Sequence, residues 1–299
     1  MFRKLFLTLT LAALTACSAP ASSPTDGLLA VVTTTSILGD VARQISGDRV
    51  SVKVLLPIGS DPHAFEPRPQ DVAALTDAEL VIVNGFGLEE TLSALLGNAK
   101  NVIIASDGID ALPFEEKHEG EEEHGRDPHV WQDPNNVIVW ANNIADAFAN
   151  ADPSHADEYA SNAEKYIIEL KSLDVWIIEQ VAQIPEANRK IVTEHATFGY
   201  FAVRYGFEQV GAVIPSVSTG SSPSAQELAA LEDAIRSSGV KAVFVGSTVS
   251  PDLSRRVADD TGVRLVFLFT DSLSEAGGDA ESYLAFMRYN VNAIVEALK

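Results

Sequence analysis

Two short segments of the chain each place a histidine among prolines. Residues 61–67 read Asp-Pro-His-Ala-Phe-Glu-Pro and residues 127–134 read Asp-Pro-His-Val-Trp-Gln-Asp-Pro, so His63 and His129 each follow an Asp-Pro pair. Proline fixes its own φ angle and disfavours helical backbone in the residue before it. Each imidazole is therefore expected in a stiff turn that gives it a defined direction.

Two further potential metal ligands follow apolar runs. His195 comes after the run 190–193, and Asp271 comes after the run 265–269. Imidazole nitrogens together with a carboxylate are typical ligands of transition metals, zinc above all. The sequence predicts a buried metal site whose ligands are His63, His129, His195 and Asp271.

Two acidic residues precede the Pro-flanked histidines. Asp61 and Asp127 could accept the second ring N–H of a ligating imidazole. They could equally cap their own turns. His155 lies among acidic residues at a helix start and is expected to be solvated.

Eight short apolar runs alternate with helical patterns, four in each half of the chain. Their hydrophobicity is continuous rather than alternating, which favours strands covered on both faces and hence parallel sheets. The predicted fold is α/β, with two lobes that each contain a parallel sheet flanked by helices. The runs are 28–33, 50–56, 79–84, 101–105, 190–193, 209–214, 240–246 and 263–269.

One long helix is predicted to join the lobes. Asp152 and Pro153 provide an N-cap and a first helical residue, and apolar residues then recur at three- and four-residue steps up to residue 184. The alternative is two helices broken near Ser172. The predicted divisions are an N-terminal lobe at 28–152, the helix at 153–184 and a C-terminal lobe at 185–299.

Ligands of such sheets bind beyond the carboxyl ends of the strands. His63, His195 and Asp271 each follow a predicted strand, and His129 precedes a helix start, so all four are expected at the rim of a sheet. Two would come from each lobe. The metal is therefore expected between the lobes.

The N-terminal residues are typical of an export signal. Arg3 and Lys4 precede an apolar stretch, 5–16, that is too short to span a bilayer. Residues 14–17, Leu-Thr-Ala-Cys, resemble a bacterial lipobox, which predicts a signal peptide at 1–17 with a lipidated Cys17. An ordinary free thiol in a cleaved peptide is the alternative. The small, polar residues 18–27 are expected to form a flexible tether.

The charge of the chain is strongly negative. The net charge is −21, and it becomes −23 without the signal peptide, so nucleic acid is not expected as a partner. Residues 115–124 are mostly acidic, contain no apolar residue and predict a mobile surface loop. Its His118 and His124 could bind metal weakly, or the loop could simply be a solvated acidic segment.

The four motifs, in this order, resemble the metal-binding solute receptors of bacterial zinc and manganese ABC importers. The resemblance covers the mature chain through residues 57–67, 127–131, 195–201 and 270–273. It implies an extracytoplasmic, lipid-anchored receptor that binds one divalent ion between two α/β lobes and delivers it to a membrane permease. A monomer is expected.

The third ligand bears on the choice of metal. Manganese receptors of this family place Glu where this chain has His195, whereas zinc receptors place His, so zinc is favoured and manganese is the alternative. Because imidazole binds metal only when neutral, the affinity is expected to fall below the reference His pKa of about 6.5.

Two other classes of protein compete with a receptor. A zinc hydrolase would need an open coordination position and a base, for which Glu66 or Glu194 could serve. Four protein ligands would leave no such position, so no enzyme activity is expected. An adhesin without tight metal binding is the third alternative.

Overall fold

The computed structural model of the chain describes residues 28–118 and 121–299, and the side chains of 115–124 lie outside this description. The predictions for the signal peptide, Cys17 and the tether therefore concern residues outside the described part. The same holds for the side chains of His118 and His124.

Eight of the strands form two parallel sheets of the same topology. In each sheet the first strand along the chain lies between the second and the third, and the fourth lies at the edge beside the third. All eight apolar runs are thus confirmed as strands. The N-terminal sheet contains β1 (Leu29–Thr33), β2 (Val50–Val54), β3 (Leu80–Val83) and β4 (Val102–Ile104). After an antiparallel pair, β5 (Pro113–His118) and β6 (Glu121–Arg126), the C-terminal sheet contains β7 (Lys190–Thr193), β8 (Glu208–Ala212), β9 (Ala242–Gly246) and β10 (Arg264–Leu268).

The acidic segment differs from the predicted loop. The backbones of β5 and β6 pair in an antiparallel hairpin that begins with Pro113 opposite Arg126. Ladder hydrogen bonds are made by the backbone and need no apolar side chains, so an acidic composition does not exclude strands. The prediction of a loop without secondary structure is therefore wrong.

Nine helices of the described residues flank the sheets. They are α1 (Ser36–Ser46), α2 (Pro69–Asp77), α3 (Ser93–Leu96), α4 (Pro134–Ala151), α5 (Ala156–Val181), α6 (Gly199–Tyr205), α7 (Ala225–Ser238), α8 (Asp252–Thr261) and α9 (Tyr283–Leu298). Helix α4 begins at Pro134, with the side chain of Asp133 accepting from the backbone N–H of Asn135. Among these residues, no helix is both long enough and apolar enough to cross a membrane.

The connecting helix α5 is continuous past Ser172. A single 3₁₀ turn, Pro153–His155, leads into it, and its 26 residues extend about 39 Å at 1.5 Å per residue. The hydroxyl of Ser172 donates to the carbonyl of Ile168 within the helix and does not break it. The alternative of two helices is therefore excluded. The buried face carries Tyr159, Ala163, Tyr166, Leu170, Leu173, Ile177 and Val181.

One hydrophobic core connects the two lobes. It contains Val31 and Ile82 from the N-terminal sheet, Ile191 and Phe244 from the C-terminal sheet, and the buried face of α5. The outer face of each sheet has a smaller core of its own. Because native cores are close-packed, a shared core resists rotation of one lobe against the other. The predicted fold class, two α/β lobes joined by a long helix, is confirmed.

Candidate metal centre

The four predicted ligands come together between the lobes. One ligand atom from each of His63, His129, His195 and Asp271 can be chosen so that all lie within 4.8 Å of one another. His129 and His195 are 0% exposed and Asp271 is 2% exposed, whereas His63 is only partly buried. His63 therefore faces the outside most directly.

The loops that carry these residues follow from the topology. His63 lies in the loop after β2, His195 follows β7 and Asp271 follows β10, each beyond the carboxyl end of its strand. His129 immediately precedes a 3₁₀ turn, Val130–Gln132, that leads into α4. Two of the four predicted ligands lie in the N-terminal half of the chain and two in the C-terminal half.

The distances between the imidazoles match a small tetrahedral ion. Nε2 of His129 lies 3.2 Å from Nε2 of His63 and 3.2 Å from Nε2 of His195. Zinc–nitrogen bonds of about 2.0–2.1 Å in a tetrahedron place two nitrogens about 3.3 Å apart. Oδ1 of Asp271 is farther out, 3.9 Å from Nε2 of His129 and of His195.

Carboxylates fix the orientation of two of the rings. Nδ1 of His129 lies 2.8 Å from Oδ1 of Asp127, and Nδ1 of His195 lies 3.1 Å from Oε1 of Glu194. An ionised carboxylate only accepts hydrogen bonds, so each Nδ1 donates a proton. In the neutral rings, both Nε2 lone pairs then face each other across 3.2 Å. Such lone pairs repel unless a proton or a metal cation lies between them.

The carboxylate of Asp271 is also oriented. Its Oδ2 accepts hydrogen bonds from the hydroxyls of Thr270 at 2.8 Å and Thr248 at 3.0 Å. Its buried Oδ1, which faces the imidazoles, has no hydrogen-bonding partner among the described residues. A buried carboxylate oxygen without a partner is costly, and a cation would compensate it.

The charges of the cluster shift its pKa values in opposite directions. Burial, together with the nearby His129, lowers the pKa of His63 to about 3. Burial acts to lower the pKa of His195 as well, but the carboxylates of Asp271 and Glu194 outweigh it and raise that pKa to about 9. Burial acts to raise the pKa of Asp271, yet the three imidazoles lower it. Without metal, a proton is therefore held at His195 near neutral pH.

Glu194 has a role that the sequence did not assign to it. The sequence suggests it only as a hydrolase base, whereas in the structure it is 2% exposed and orients His195. Its backbone position beside a ligand at the end of β7 was the available signal. Gly246 makes room for this carboxylate, because a Cβ there would lie 2.6 Å from Oε1 of Glu194.

Asp61 and Asp127 differ in whether they contact the imidazole of the histidine two residues later or only cap its turn. Asp127 holds the ring of His129 and also accepts from its backbone N–H at 2.9 Å. Asp61 accepts from the backbone N–H of His63 at 2.9 Å, and its other oxygen accepts from the hydroxyl of Thr219 in the opposite lobe. Asp61 thus caps its turn and does not contact the ring of His63.

Hydrogen bonds between the lobes surround the cluster. Nε1 of Trp131 donates to the carbonyl of Thr270 at 2.8 Å, and the hydroxyl of Tyr200 donates to the carbonyl of Asp127 at 2.8 Å. These contacts hold the His129 turn against the lobe that carries Asp271. A cavity of about 480 Å³ next to His63 provides access to the site from outside.

Of the histidines whose side chains the structure describes, one lies outside the cluster. Nδ1 of His155 lies 2.6 Å from Oδ2 of Asp152 at the start of the connecting helix. It is partly buried and hydrogen-bonded, whereas the sequence predicts a solvated residue. It does not belong to the metal cluster.

Comparison with known proteins extends this description. Residues 31–297 match the family described as "ZnuA: Zinc-uptake complex component A periplasmic". The chain is 38% identical over 273 residues to the manganese-binding lipoprotein MntA of Halalkalibacterium halodurans, covering 90% of this chain and 88% of that one.

Two solved structures have the same fold. The periplasmic zinc-binding protein TroA of Treponema pallidum is 27% identical, with a TM-score of 0.84 over 91% of this chain and 99% of that one. The Mn-bound periplasmic metal-binding protein of Candidatus Liberibacter asiaticus is 28% identical, with a TM-score of 0.79 over 90% of this chain and 99% of that one. The predicted extracytoplasmic location is confirmed by these relationships. The chain belongs to the ZnuA family, the metal-binding substrate-binding lipoproteins of ABC transporters.

Proposed function

We propose that the chain captures one Zn²⁺ ion between its lobes and delivers it to the permease of an ABC importer. The observation that carries this proposal is the convergence of three imidazole nitrogens and one carboxylate oxygen within 4.8 Å. The proposed ligands are His63, His129, His195 and Asp271.

Zinc is favoured over manganese by the donor set. Three nitrogens and one oxygen suit zinc, whereas manganese prefers oxygen ligands. Manganese is the second possibility, because MntA and the Liberibacter protein are described as binding it. TroA is described as a zinc-binding protein.

A receptor is favoured over a hydrolase. Four protein donors complete a tetrahedral shell and leave no position for an activated water. Glu66, one of the two possible bases, is exposed, and Glu194 faces Nδ1 of His195 on the side of the ring opposite to Nε2. The match to transport proteins supports the same conclusion.

The remaining features of the receptor complete the proposal. Lipidated Cys17 would attach the protein to the membrane through the tether 18–27, and the receptor would act as a monomer. Its lobes would be 28–152 and 185–299, joined through 153–184. The strongly negative charge would attract cations to its surface.

The test is the metal content of protein purified without added metal. Zinc, manganese, iron and copper are quantified together, followed by competition titration of the metal-free protein. We expect one zinc per chain, and His129→Ala should abolish tight binding, whereas His155→Ala should retain it. Manganese at one equivalent, with zinc unable to displace it, would establish the alternative. A chain that binds neither metal tightly would overturn the proposal.

A further inference from the structure

The support of His63 differs from that of the other three ligands. His129, His195 and Asp271 are each oriented by side chains of their own lobe: Asp127, Glu194, and the pair Thr248 and Thr270. For His63, the described side chains provide no carboxylate within hydrogen-bonding distance of Nδ1. Its turn is held instead through the backbone N–H and Asp61.

Asp61 connects this turn to the opposite lobe. One carboxylate oxygen accepts from His63, and the other accepts from the hydroxyl of Thr219. Thr219 lies in the segment 213–224 between β8 and α7, here named the strap. The strap thus reaches from the C-terminal lobe to a ligand-bearing turn of the N-terminal lobe.

The base of the strap is fixed to the turn of another ligand. The backbone N–H of Ala196, next to His195, donates to the carbonyl of Ser216 at 2.9 Å. The N–H of Ile214 donates to the carbonyl of Glu194 at 2.7 Å. Through Thr219 and Asp61, the strap therefore joins the His195 turn to the His63 turn across the cleft.

The strap lies beside the cavities through which a metal ion would enter and leave the site. Val217 and Ser218 line the cavity of about 480 Å³ beside His63, and Thr219 and Ser221 line a second cavity, of about 380 Å³, beside Glu194. The strap separates these two cavities next to the most accessible ligand. An ion that leaves the cluster on this side must first lose His63.

We propose that Thr219 is a positioning residue that keeps His63 on the bound metal and thereby sets the rate of metal dissociation. The inference rests on the proposed metal site. Thr219 acts through Asp61 and does not touch the ion. When its hydrogen bond opens, the His63 turn can move away from the three other ligands.

The test compares two variants of Thr219 with the wild type. Thr219→Val keeps the shape but removes the hydroxyl, whereas Thr219→Ser keeps the hydroxyl. Dissociation is followed by stopped-flow with an excess of zinc chelator, and association by mixing metal-free protein with zinc. Because the bond is made to a charged group, we expect Thr219→Val to accelerate dissociation roughly ten- to a hundredfold.

The controls separate positioning from a general structural role. Association should change less than dissociation, Thr219→Ser should dissociate like the wild type, and Ser222→Ala, at an exposed strap residue, should do the same. On an Asp61→Ala background, Thr219→Val should have no further effect.

A wrong role for Thr219 and a wrong metal site would give different results. If the wild type binds zinc tightly and Thr219→Val releases it at the wild-type rate, the role of Thr219 is refuted. A fall in the melting temperature of the metal-free variant with unchanged dissociation would refute it too. If the wild type does not bind metal, the metal site itself is wrong.

Discussion

At the scale of single residues, the chemistry depends on which nitrogen each imidazole presents. Asp127 and Glu194 accept from Nδ1 of His129 and His195, so both rings direct Nε2 into the cluster. The donor type at each position then determines which metal fits. In the proposed site, position 195 supplies a nitrogen donor rather than an oxygen donor.

Replacing His195 by Glu should shift preference toward manganese. The change exchanges a borderline nitrogen donor for a hard oxygen donor. We expect the ratio of zinc affinity to manganese affinity to fall by at least about tenfold. Zinc can still bind more tightly than manganese, because manganese has the lowest affinity of the divalent first-row metals for most sites. Competition titration measures the ratio, with His155→Glu as the control outside the cluster. An unchanged ratio in the His195 variant would contradict the expectation.

Metal affinity should rise with pH up to about pH 9. The sequence placed the fall in affinity below about pH 6.5, but the carboxylates around His195 raise its pKa to about 9 in the metal-free protein. Below that pH a proton must leave before metal binds, so apparent affinity should fall up to tenfold per unit. His63, with a pKa of about 3, should not compete above pH 5.

Calorimetry in buffers of different ionisation enthalpy counts the protons released. We expect about one proton per zinc at pH 7.5 and almost none at pH 10. Equal affinity at pH 6 and pH 8.5 would show that no proton is displaced.

At the scale of secondary-structure elements, the predicted ligands lie just beyond strand ends, and neighbouring side chains approach the backbone of β9 closely. Gly246 is the last residue of β9, between β7 and β10, which carry His195 and Asp271 at their carboxyl ends. A side chain at this position would meet Thr270 and Glu194, each adjacent to a ligand. Because Gly246 has no Cβ, the side chains of Thr270 and Glu194 can both lie against this end of β9.

Gly246→Ala should weaken metal binding without touching a ligand. The added Cβ would lie 2.6 Å from Oε1 of Glu194, so the carboxylate must move, and overpacking of this kind costs about 1–3 kcal/mol. We expect zinc affinity to fall roughly five- to a hundredfold in isothermal titration. Gly97→Ala is the matched control, because its Cβ would meet nothing closer than 3.6 Å. Wild-type affinity in the Gly246 variant would show that the site tolerates displacement of Glu194 and Thr270.

At the scale of the whole molecule, the two lobes share one core. The buried face of α5 packs against α1, α4 and α9, and it belongs to one core with residues of both sheets. Loss of packing in α5 should therefore reach both lobes. The same continuity argues for small movements around the site rather than a wide hinge.

Leu170→Ala tests this cooperativity. Leu170 is 0% exposed in the shared core, and deleting a buried Leu side chain costs about 2–5 kcal/mol. We expect one calorimetric unfolding transition, shifted to lower temperature. Ile168→Ala, at a residue of the same helix that is 64% exposed, should change it little. Two separated transitions would show that the lobes unfold independently.

Cys17→Ala should change the location of the protein but not its metal binding. Cys17 precedes the described residues, and all four cluster residues follow residue 60. Two or three acyl chains hold a protein stably at a membrane, so their loss should release it. Membrane fractionation with mass spectrometry of the mature N-terminus measures the outcome. An unlipidated, soluble wild-type protein would exclude the lipobox.

The sequence by itself determined the strands, the long helix and all four residues of the cluster. Continuous apolar runs and Pro-flanked turns are local signals, and the rule that ligands lie beyond strand ends needs only the order of elements. The pairing of β5 with β6 was missed, because backbone ladders leave little trace in a charged sequence.

Only the tertiary structure decided how the cluster is supported. Thr219 lies far along the chain from Asp61, yet its hydroxyl donates to that carboxylate. Gly246 lies far along the chain from Glu194, yet a Cβ on Gly246 would collide with the Glu194 carboxylate. The pKa of His195 likewise depends on Asp271. These two residues follow β7 and β10, which the sheet brings close together with only β9 between them. Such contacts depend on the packing of distant segments, and a single sequence carries no local pattern for them.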